Sequence, residues 1–433
     1  MTAQLPPLLK HIAKFLNYSI TNYLIAFMPK KTLKDINLSG KTVLHHCDFN
    51  IQLRKNENGQ LVPISDIRLK AFFPSIFYLL EKNCKIVFLS WLGRPGGKVV
   101  ESLRLESIAK RLSQLINKQV HALPSCIGKK VKTHIQKMKP GQMVMLENTR
   151  FYPGEEADDD GFAKKLAGNA DLMVQDAFGH CHRIHASTTG IPRHIPAVAG
   201  FYLKEEMEIF DRLMKSPPRP FVLVIGGIKA ADKVTAIKNL GARADYILVG
   251  GGISHNFLKA KGIAVGGSVK GNSFLDKTEK QVIALSKEIL EKYGKKIILP
   301  KDFLASDSFK KPKKTTLIDF AQKESVRRDW AFVDIGPKTQ RKFSQIIKKA
   351  KSVIWNGPVG KYEDKRFEKG TKTLAEKIAQ NPGLTVVAGG DTAAAVEKFD
   401  LVFKYTHVSI AGGAALKYLS GETLPGIEAL ENK

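Results

Sequence analysis

The chain lacks most of the features that would place it outside the ordinary soluble enzymes. No stretch reaches the roughly 18 uninterrupted apolar residues of a membrane-spanning helix. It has only four cysteines, Cys47, Cys84, Cys126 and Cys181, and none forms a Cys-x-x-Cys pair. Neither a zinc finger nor a redox motif is therefore indicated, and free thiols in a reducing cytoplasm account for them. Basic and aromatic residues are not interleaved in the way of a nucleic-acid module. No internal repeat of fixed period occurs. Phosphate-binding signatures are missing too: there is no Gly-x4-Gly-Lys-Ser/Thr and no dinucleotide-binding fingerprint. Acidic residues are few, 41 against 69 Lys and Arg, leaving a net charge of +28. Such an excess favours anionic ligands. The lysines are nonetheless spread along the chain, and the one tight run, Lys310 to Lys314, reads as a solvated loop.

What is present begins with length. At 433 residues the chain is too long for one core and suggests two domains of about 200 residues. Residues 1–27 stand apart as an extension. The spacing of Leu5, Leu8, Leu9, Ile12, Phe15 and Leu16 is that of one face of a short helix. The extension reads either as a membrane-surface helix or as the product of a mis-assigned start, and in both readings it is dispensable for catalysis. From residue 41 onward, strands alternate with helices, the α/β signature of a mostly parallel sheet. Expected strands are 42–49, 85–92, 142–146 and 171–176, with helices at 71–82, 103–116 and 161–167. A helix at 204–215, closed by Pro217, Pro218 and Pro220, reads as the connector between domains. A second series follows, with strands at 221–225, 246–249, 296–299, 332–335, 352–355, 385–388 and 407–410.

In open α/β sheets, ligands bind beyond the carboxyl ends of the strands. In the second series most strands run into glycine. The ends are Gly226-Gly227 with Lys229 and Lys233 beyond, Gly250-Gly251-Gly252, Asn356-Gly357-Pro358, Gly389-Gly390 and Gly412-Gly413. Residues without Cβ atoms let a ligand come close to the backbone. A glycine-lined edge with two lysines suits a polyphosphate. At 385–399 the chain reads as a strand, a Gly-Gly-Asp-Thr turn and a helix over 393–398. Thr392 and the first free N–H groups of that helix favour a phosphate. Asp391 would repel it unless a cation lay between, which implies Mg²⁺.

The first series ends its strands on charged side chains. Asp48 and Asn50 follow the first strand, and Arg68 lies on the next segment. Arg94, Arg150, and then His182 and Arg183, follow the others. Four arginines and a histidine at such positions make an anion site for a small phosphorylated acid. His180, His182 and His185 with Cys181 fit no common zinc spacing.

The segments DFN, LGRP, ENTRFYPGEE, DAFG-HCHR-IHAST, GG-IKAADK, GGG, DIGPKT, WNGP and GGDTAAAVEKF, in this order, resemble phosphoglycerate kinases. The likeness runs from about Leu33 to Lys433. It implies two Rossmann-like three-layer domains with parallel sheets joined by a hinge helix. The expected domains are 28–203 for 3-phosphoglycerate, 204–220 for the interdomain helix and 221–410 for Mg-nucleotide, with a tail 411–433 packing back on the first. By resemblance, Arg68, Lys229, Gly390 and Gly413 stand at the transfer centre. Asp48, Asn50, Arg68, Arg94, Arg150, His182 and Arg183 bind the phosphorylated acid. Gly226, Gly227, Lys229, Lys233, Gly250, Gly251, Asn356, Pro358, Gly389, Gly390 and Thr392 surround the nucleotide, Glu363 meets its ribose and Asp391 its magnesium. ATP and ADP are the implied nucleotides, 1,3-bisphosphoglycerate the implied donor, and the protein is expected to be a cytoplasmic monomer without a specific nucleic-acid partner. The alternative is a nucleotide-binding protein whose kinase activity is weakened or lost.

The chain departs from the family pattern at several points. His46 stands for Arg in RVDFN, Trp91 for His in SHLGRP, and His180-Cys181 for Thr-Ala. Ile410-Ala411 replace Thr-Gly of the final glycine turn, Ala388 replaces the first Gly of GGGDT, and Lys361 replaces a hydrophobic residue near the adenine. Trp91 is expected to line the acid site and to weaken capture of its phosphate.

Overall fold

A computed structural model describes residues 29–228, 230–267, 279–322 and 329–433. The extension 1–27 and Lys229 lie outside them. The chain forms two compact units, Met1–Met207 with Glu422–Lys433, and Glu208–Gly421. The boundary falls inside the helix Phe201–Lys215, which starts before the expected residue 204.

In the first unit the strands are β1 Thr42–His46, β2 Leu53–Lys55, β3 Leu61–Pro63, β4 Lys85–Leu89, β5 Val120–Ala122, β6 Met143–Met145, β7 Leu172–Gln175 and β8 Ala197–Ala199. Six of them form one sheet in the order β5-β6-β4-β1-β7-β8, and every pairing in it is parallel. β2 and β3 make a separate antiparallel hairpin. Val43, Leu44, Ile86, Val87, Phe88, Met173 and Val174 are all buried, as expected of parallel strands covered on both faces. The first four expected strands exist but are shorter at their carboxyl ends. The polar residues that follow them belong to the loops that carry the chemistry. All four cysteines are buried and free.

The last residues are laced to this unit by backbone bonds. Lys31 N donates to Glu431 O at 2.8 Å, Glu431 N to Ala197 O at 3.0 Å and Gly426 N to Cys181 O at 2.9 Å. The ammonium of Lys30 reaches the carbonyls of Glu428 and Leu430. The segment that joins this unit is Glu422–Lys433, whereas the sequence suggested a start at Ala411. The difference is the helix Gly413–Leu419, whose buried Ala414, Ala415 and Leu419 complete the second unit.

The second unit has β9 Phe221–Ile225, β10 Tyr246–Val249, β11 Ile297–Ile298, β12 Asp302–Ser306, β13 Thr315–Asp319, β14 Ala331–Ile335, β15 Ser352–Asn356, β16 Leu384–Ala388 and β17 His407–Ser409. Its main sheet is parallel in the order β11-β10-β9-β15-β16-β17. β12, β13 and β14 form a second, antiparallel sheet. The sequence reading had put 332–335 into the parallel series and had missed β12 and β13. β12 buries Asp302 and Ser306 at its ends and β13 exposes its first three residues, so neither shows a clean hydrophobic period. The lysine run sits on the tip between β12 and β13. There Asp307 accepts the backbone N–H groups of Lys313 and Lys314 at 2.9 and 3.0 Å, while the four lysines stay exposed. The core gathers Val222, Val224, Leu248, Phe303, Phe343, Val353, Trp355 and Val387.

Candidate functional site

In the first unit the sheet reverses its winding at β1, with β4 on one side and β7 on the other. Beyond β1 the chain presents Asp48, only 5% exposed. Its Oδ2 is paired with Nη1 of Arg68, on the short helix Ile67–Lys70. Its Oδ1 accepts the Asn50 N–H at 3.1 Å and faces His180 Nε2, also at 3.1 Å. Burial pushes the Asp48 carboxyl up, but the Arg68 guanidinium and the facing His180 ring outweigh it and hold the group well below the usual carboxylate range. Asn50 Oδ1 accepts the Gly93 N–H at 2.9 Å, tying the end of β1 to the loop after β4.

Arg150 is 7% exposed. It donates to the Gly93 carbonyl at 2.8 Å and pairs with Glu156 at 3.1 Å. Burial draws its pKa down, and the charges of Arg183 and Arg94 act in the same sense. Three guanidinium groups thus share one electrostatic field. Arg94 and Arg183 are exposed, and neither forms an ion pair among the described residues. Two guanidiniums without such pairs beside a third whose carboxylate partner is Glu156 make a place for an anion of more than one charge. His182 is half-buried beside Arg183.

Trp91 is where the sequence reading needs correction. It is 2% exposed and packs inside, with Arg150 Cζ 4.5 Å from its ring and His180 stacked on it at 3.5 Å. It supports the arginine rather than facing a ligand. The surrounding cluster of His46, His180 and His185 was not assigned a site role from the sequence. One signal was available: the departures at 46, 91 and 180 each fall just beyond, or at the end of, neighbouring strands β1, β4 and β7.

In the second unit the glycine ends do meet. The winding reverses between β9 and β15. A Cβ on Gly226 would lie 2.3 Å from the Pro358 carbonyl oxygen and 2.4 Å from that of Gly357. Gly226 N donates to Asn356 O at 2.9 Å, Gly227 N to Pro358 O at 2.6 Å and Gly251 N to Val359 O at 3.1 Å. Trp355, fully buried, donates to the Gly357 carbonyl at 2.8 Å. Gly250 leads directly into the helix Gly251–Ala260.

The helix after β16 begins at Gly390, not at residue 393, because Gly389 takes φ +97° and turns the chain at once. Asp391 therefore lies in its first turn and not at its cap. Thr392 is buried, and its hydroxyl is used twice: it donates to Ala388 O at 3.1 Å and accepts the Gly357 N–H at 2.7 Å. Asn356, 2% exposed, donates to Ala388 O at 2.8 Å, and its Oδ1 has no partner. Both side chains brace the turn, so the groups turned toward an anion are the first-turn N–H groups of Gly390 and Asp391. Gly412 approaches Gly389, and Gly413 opens the next helix. Lys233 is half-buried, and Glu363 is exposed. Lys361 donates to Phe309 O at 2.6 Å.

No three His, Cys, Asp or Glu side chains converge as a metal cage among the described residues. Asp391 is exposed and makes no ion pair there. A single free carboxylate beside phosphate-binding N–H groups fits Mg²⁺, which keeps waters and shares phosphate oxygens with one or two carboxylates.

Two parallel α/β units, one ending its strands on arginines and the other on glycine turns, have the chemistry of an enzyme that handles phosphate. A sequence profile of the family described as phosphoglycerate kinase matches residues 33–422. The phosphoglycerate kinase of Moorella thermoacetica is 41% identical over 411 residues, 94% of this chain and 100% of that protein. That of Dictyoglomus turgidum is 44% identical over 410 residues, with the same coverage of both. The crystal structure of phosphoglycerate kinase from Pyrococcus horikoshii has a TM-score of 0.82 at 31% identity, covering 92% of this chain and 98% of that one. That from Coxiella burnetii has a TM-score of 0.75 at 31% identity, covering 93% and 98%. The chain belongs to the phosphoglycerate kinase family. Membership makes it a phosphotransferase of glycolysis with ATP and ADP as substrates.

Proposed function

We propose that the first unit takes 3-phosphoglycerate, the second takes Mg-nucleotide, and the chain moves a phosphoryl group reversibly between 1,3-bisphosphoglycerate and ADP. The observation that carries this reading is the shared field of Arg94, Arg150 and Arg183 beside the Asp48–Arg68 pair. The guanidiniums suit the phosphate of the acid. Asp48, being anionic, would meet a hydroxyl of that substrate rather than its phosphate.

In the direction of ATP formation, an ADP phosphate oxygen attacks the acyl phosphate and the carboxylate leaves with the bonding electrons. In the reverse direction that carboxylate, with a pKa of about 4, is already ionised at pH 7. No proton moves, so no general base is required. Arg68 supplies charge to the equatorial oxygens in flight. The N–H groups of Gly390 and Asp391 orient the nucleotide phosphates, and Lys229 and Lys233 neutralise them. Asp391 would hold the Mg²⁺, whose charge screens the phosphate oxygens. Glu363 meets the ribose, and Gly413 lets the last turn come close. The protein works as a cytoplasmic monomer without a nucleic-acid partner. No helix among the described residues is long and apolar enough to cross a membrane.

The full chain, given 1,3-bisphosphoglycerate, ADP and Mg²⁺ in a coupled assay, should form ATP. Binding of Mg-ADP by calorimetry without ATP formation would reject the reading.

A further inference from the structure

Behind the Asp48–Arg68 pair lies a buried chain of side chains from three neighbouring strand ends. Trp91 and His180 stack with ring centroids 3.5 Å apart and planes 16° apart. His46 meets Trp91 edge-on at 5.7 Å. His180 Nδ1 is 3.1 Å from His46 Nε2, and His180 Nε2 is 3.1 Å from Asp48 Oδ1. The His180 Nε2–Asp48 contact is close but not aligned as a hydrogen bond, and His46 Nδ1 has no partner. Arg150 lies on Trp91, and His185 packs against it at 5.0 Å.

Elementary hydrogen-bond bookkeeping assigns the protons along this chain. Asp48 is ionised, so the His180 atom facing it must carry hydrogen; a lone pair there would meet a carboxylate oxygen. Burial draws the pKa of both rings down and keeps them neutral. The charged groups around them are Asp48, Arg68 and Arg150, with His45 and His185 also near. A neutral His180 with Nε2–H has Nδ1 as an acceptor, which His46 can satisfy only by donating from its own Nε2. That leaves His46 Nδ1 as the buried atom without a partner. A bare acceptor costs less there than an orphaned N–H. The direction is therefore fixed from end to end: His46 donates to His180, the His180 Nε2–H faces the Asp48 carboxylate, and Asp48 accepts from Arg68. Both Asp48 oxygens are thereby assigned, Oδ1 to His180 and Asn50 and Oδ2 to Arg68.

We propose that His180, clamped by Trp91 and oriented by His46, is a positioning residue that fixes Asp48 and through it Arg68 in the acid-binding site. Its effect on rate rests on the phosphoglycerate kinase reading; its proton assignment does not.

The full chain tests both parts. Nitrogen-15 spectra of the histidine rings near pH 7 should show His180 and His46 protonated at Nε2 and bare at Nδ1. A His180 protonated at Nδ1 overturns the proposal. In steady-state assays, His180→Ala should lower kcat by about tenfold or more, as expected when a catalytic group loses its setting. The KM for ADP should stay within a few-fold. His180→Gln, whose amide can reach the place of Nε2, should restore kcat to within a few-fold of the parent. In combination with Asp48→Asn, the loss from His180→Ala should not add. An unchanged kcat in a folded His180→Ala protein, additive losses, or a Gln variant as slow as Ala would each reject it. If the parent shows no phosphoryl transfer at all, the proposed function fails, and the spectra still decide the role of His180.

Discussion

Under the proposed function, the two units hold phosphate with opposite materials. The first uses side chains: arginines, an aspartate and a packed histidine–tryptophan cluster. The second uses backbone: glycine turns and helix N-termini, with Asn356 and Thr392 spent on bracing. The difference shows in what each can absorb. Side chains that touch can change together, and His46, Trp91 and His180 read as such a set because each contacts the next. A backbone turn at van der Waals contact has no partner to adjust. At Gly226 even one methyl would run into two carbonyl oxygens.

Arg68→Ala should break the first unit most. If its contact is made mainly in the transition state, kcat falls by on the order of 10²-fold or more, about 2.7 kcal/mol. Calorimetry should find both substrates bound within a few-fold of the parent. If only KM rises, Arg68 is an ordinary phosphate anchor and the assignment is wrong. The matching test in the second unit is Gly226→Ala. Forcing the β9 and β15 loops apart should cost roughly 1–3 kcal/mol of stability and weaken Mg-ADP by about tenfold. Kinetics at saturating nucleotide should change little. Full affinity in a folded variant would show that the close approach is incidental.

Asp391→Ala should be milder. Nucleotide binding measured without metal should hardly change, while the Mg²⁺ concentration for half-maximal rate rises by about tenfold. Equal losses with and without Mg²⁺ would place the metal elsewhere.

The smallest effect separates the units by pH. Burial holds His46 and His180 below the ordinary histidine pKa of about 6.5. As pH falls through that value the unfolded chain takes up protons that the folded rings refuse, so the first unit loses stability from about pH 7 to 5. Asp334 has the opposite sign. Burial pushes its carboxyl up to about 7, so the second unit gains from protonation and loses stability as pH rises from about 4 to about 7. Trp91 reports on the first unit, Trp330 and Trp355 on the second. Thermal unfolding followed in Trp91→Phe, which reports the second unit alone, and in the double variant Trp330→Phe/Trp355→Phe, which reports the first, should show midpoints moving in opposite directions by a few degrees. Parallel shifts would remove the contrast.

Much of this was legible in the chain itself. Alternating strands and helices placed the polar residues of one half and the glycines of the other at strand ends, since parallel α/β units gather those ends on one edge. What misled was local. Trp91 looked like a lining residue because it occupies the place of one, while its large apolar surface in fact draws it inward among His46, His180 and Arg150. The helix at Gly390 started early because a single positive φ at Gly389 replaced a conventional cap. β12 and β13 escaped notice because β12 buries Asp302 and Ser306 at its two ends and β13 exposes its first three residues, so neither shows an apolar pattern.

By itself, then, the sequence determined the α/β architecture, the glycine-lined edge of the second unit and the set of cationic side chains, because each depends on periodicity or on what one residue type can do to its own backbone. Only the tertiary structure decided which side chains share protons. Strand order β4-β1-β7 brings together residues that are 134 apart in the case of His46 and His180. Nothing in local propensity encodes that meeting, whereas a ring with two nitrogens takes its tautomer, and Asp48 its orientation, from whichever partner the fold puts beside it.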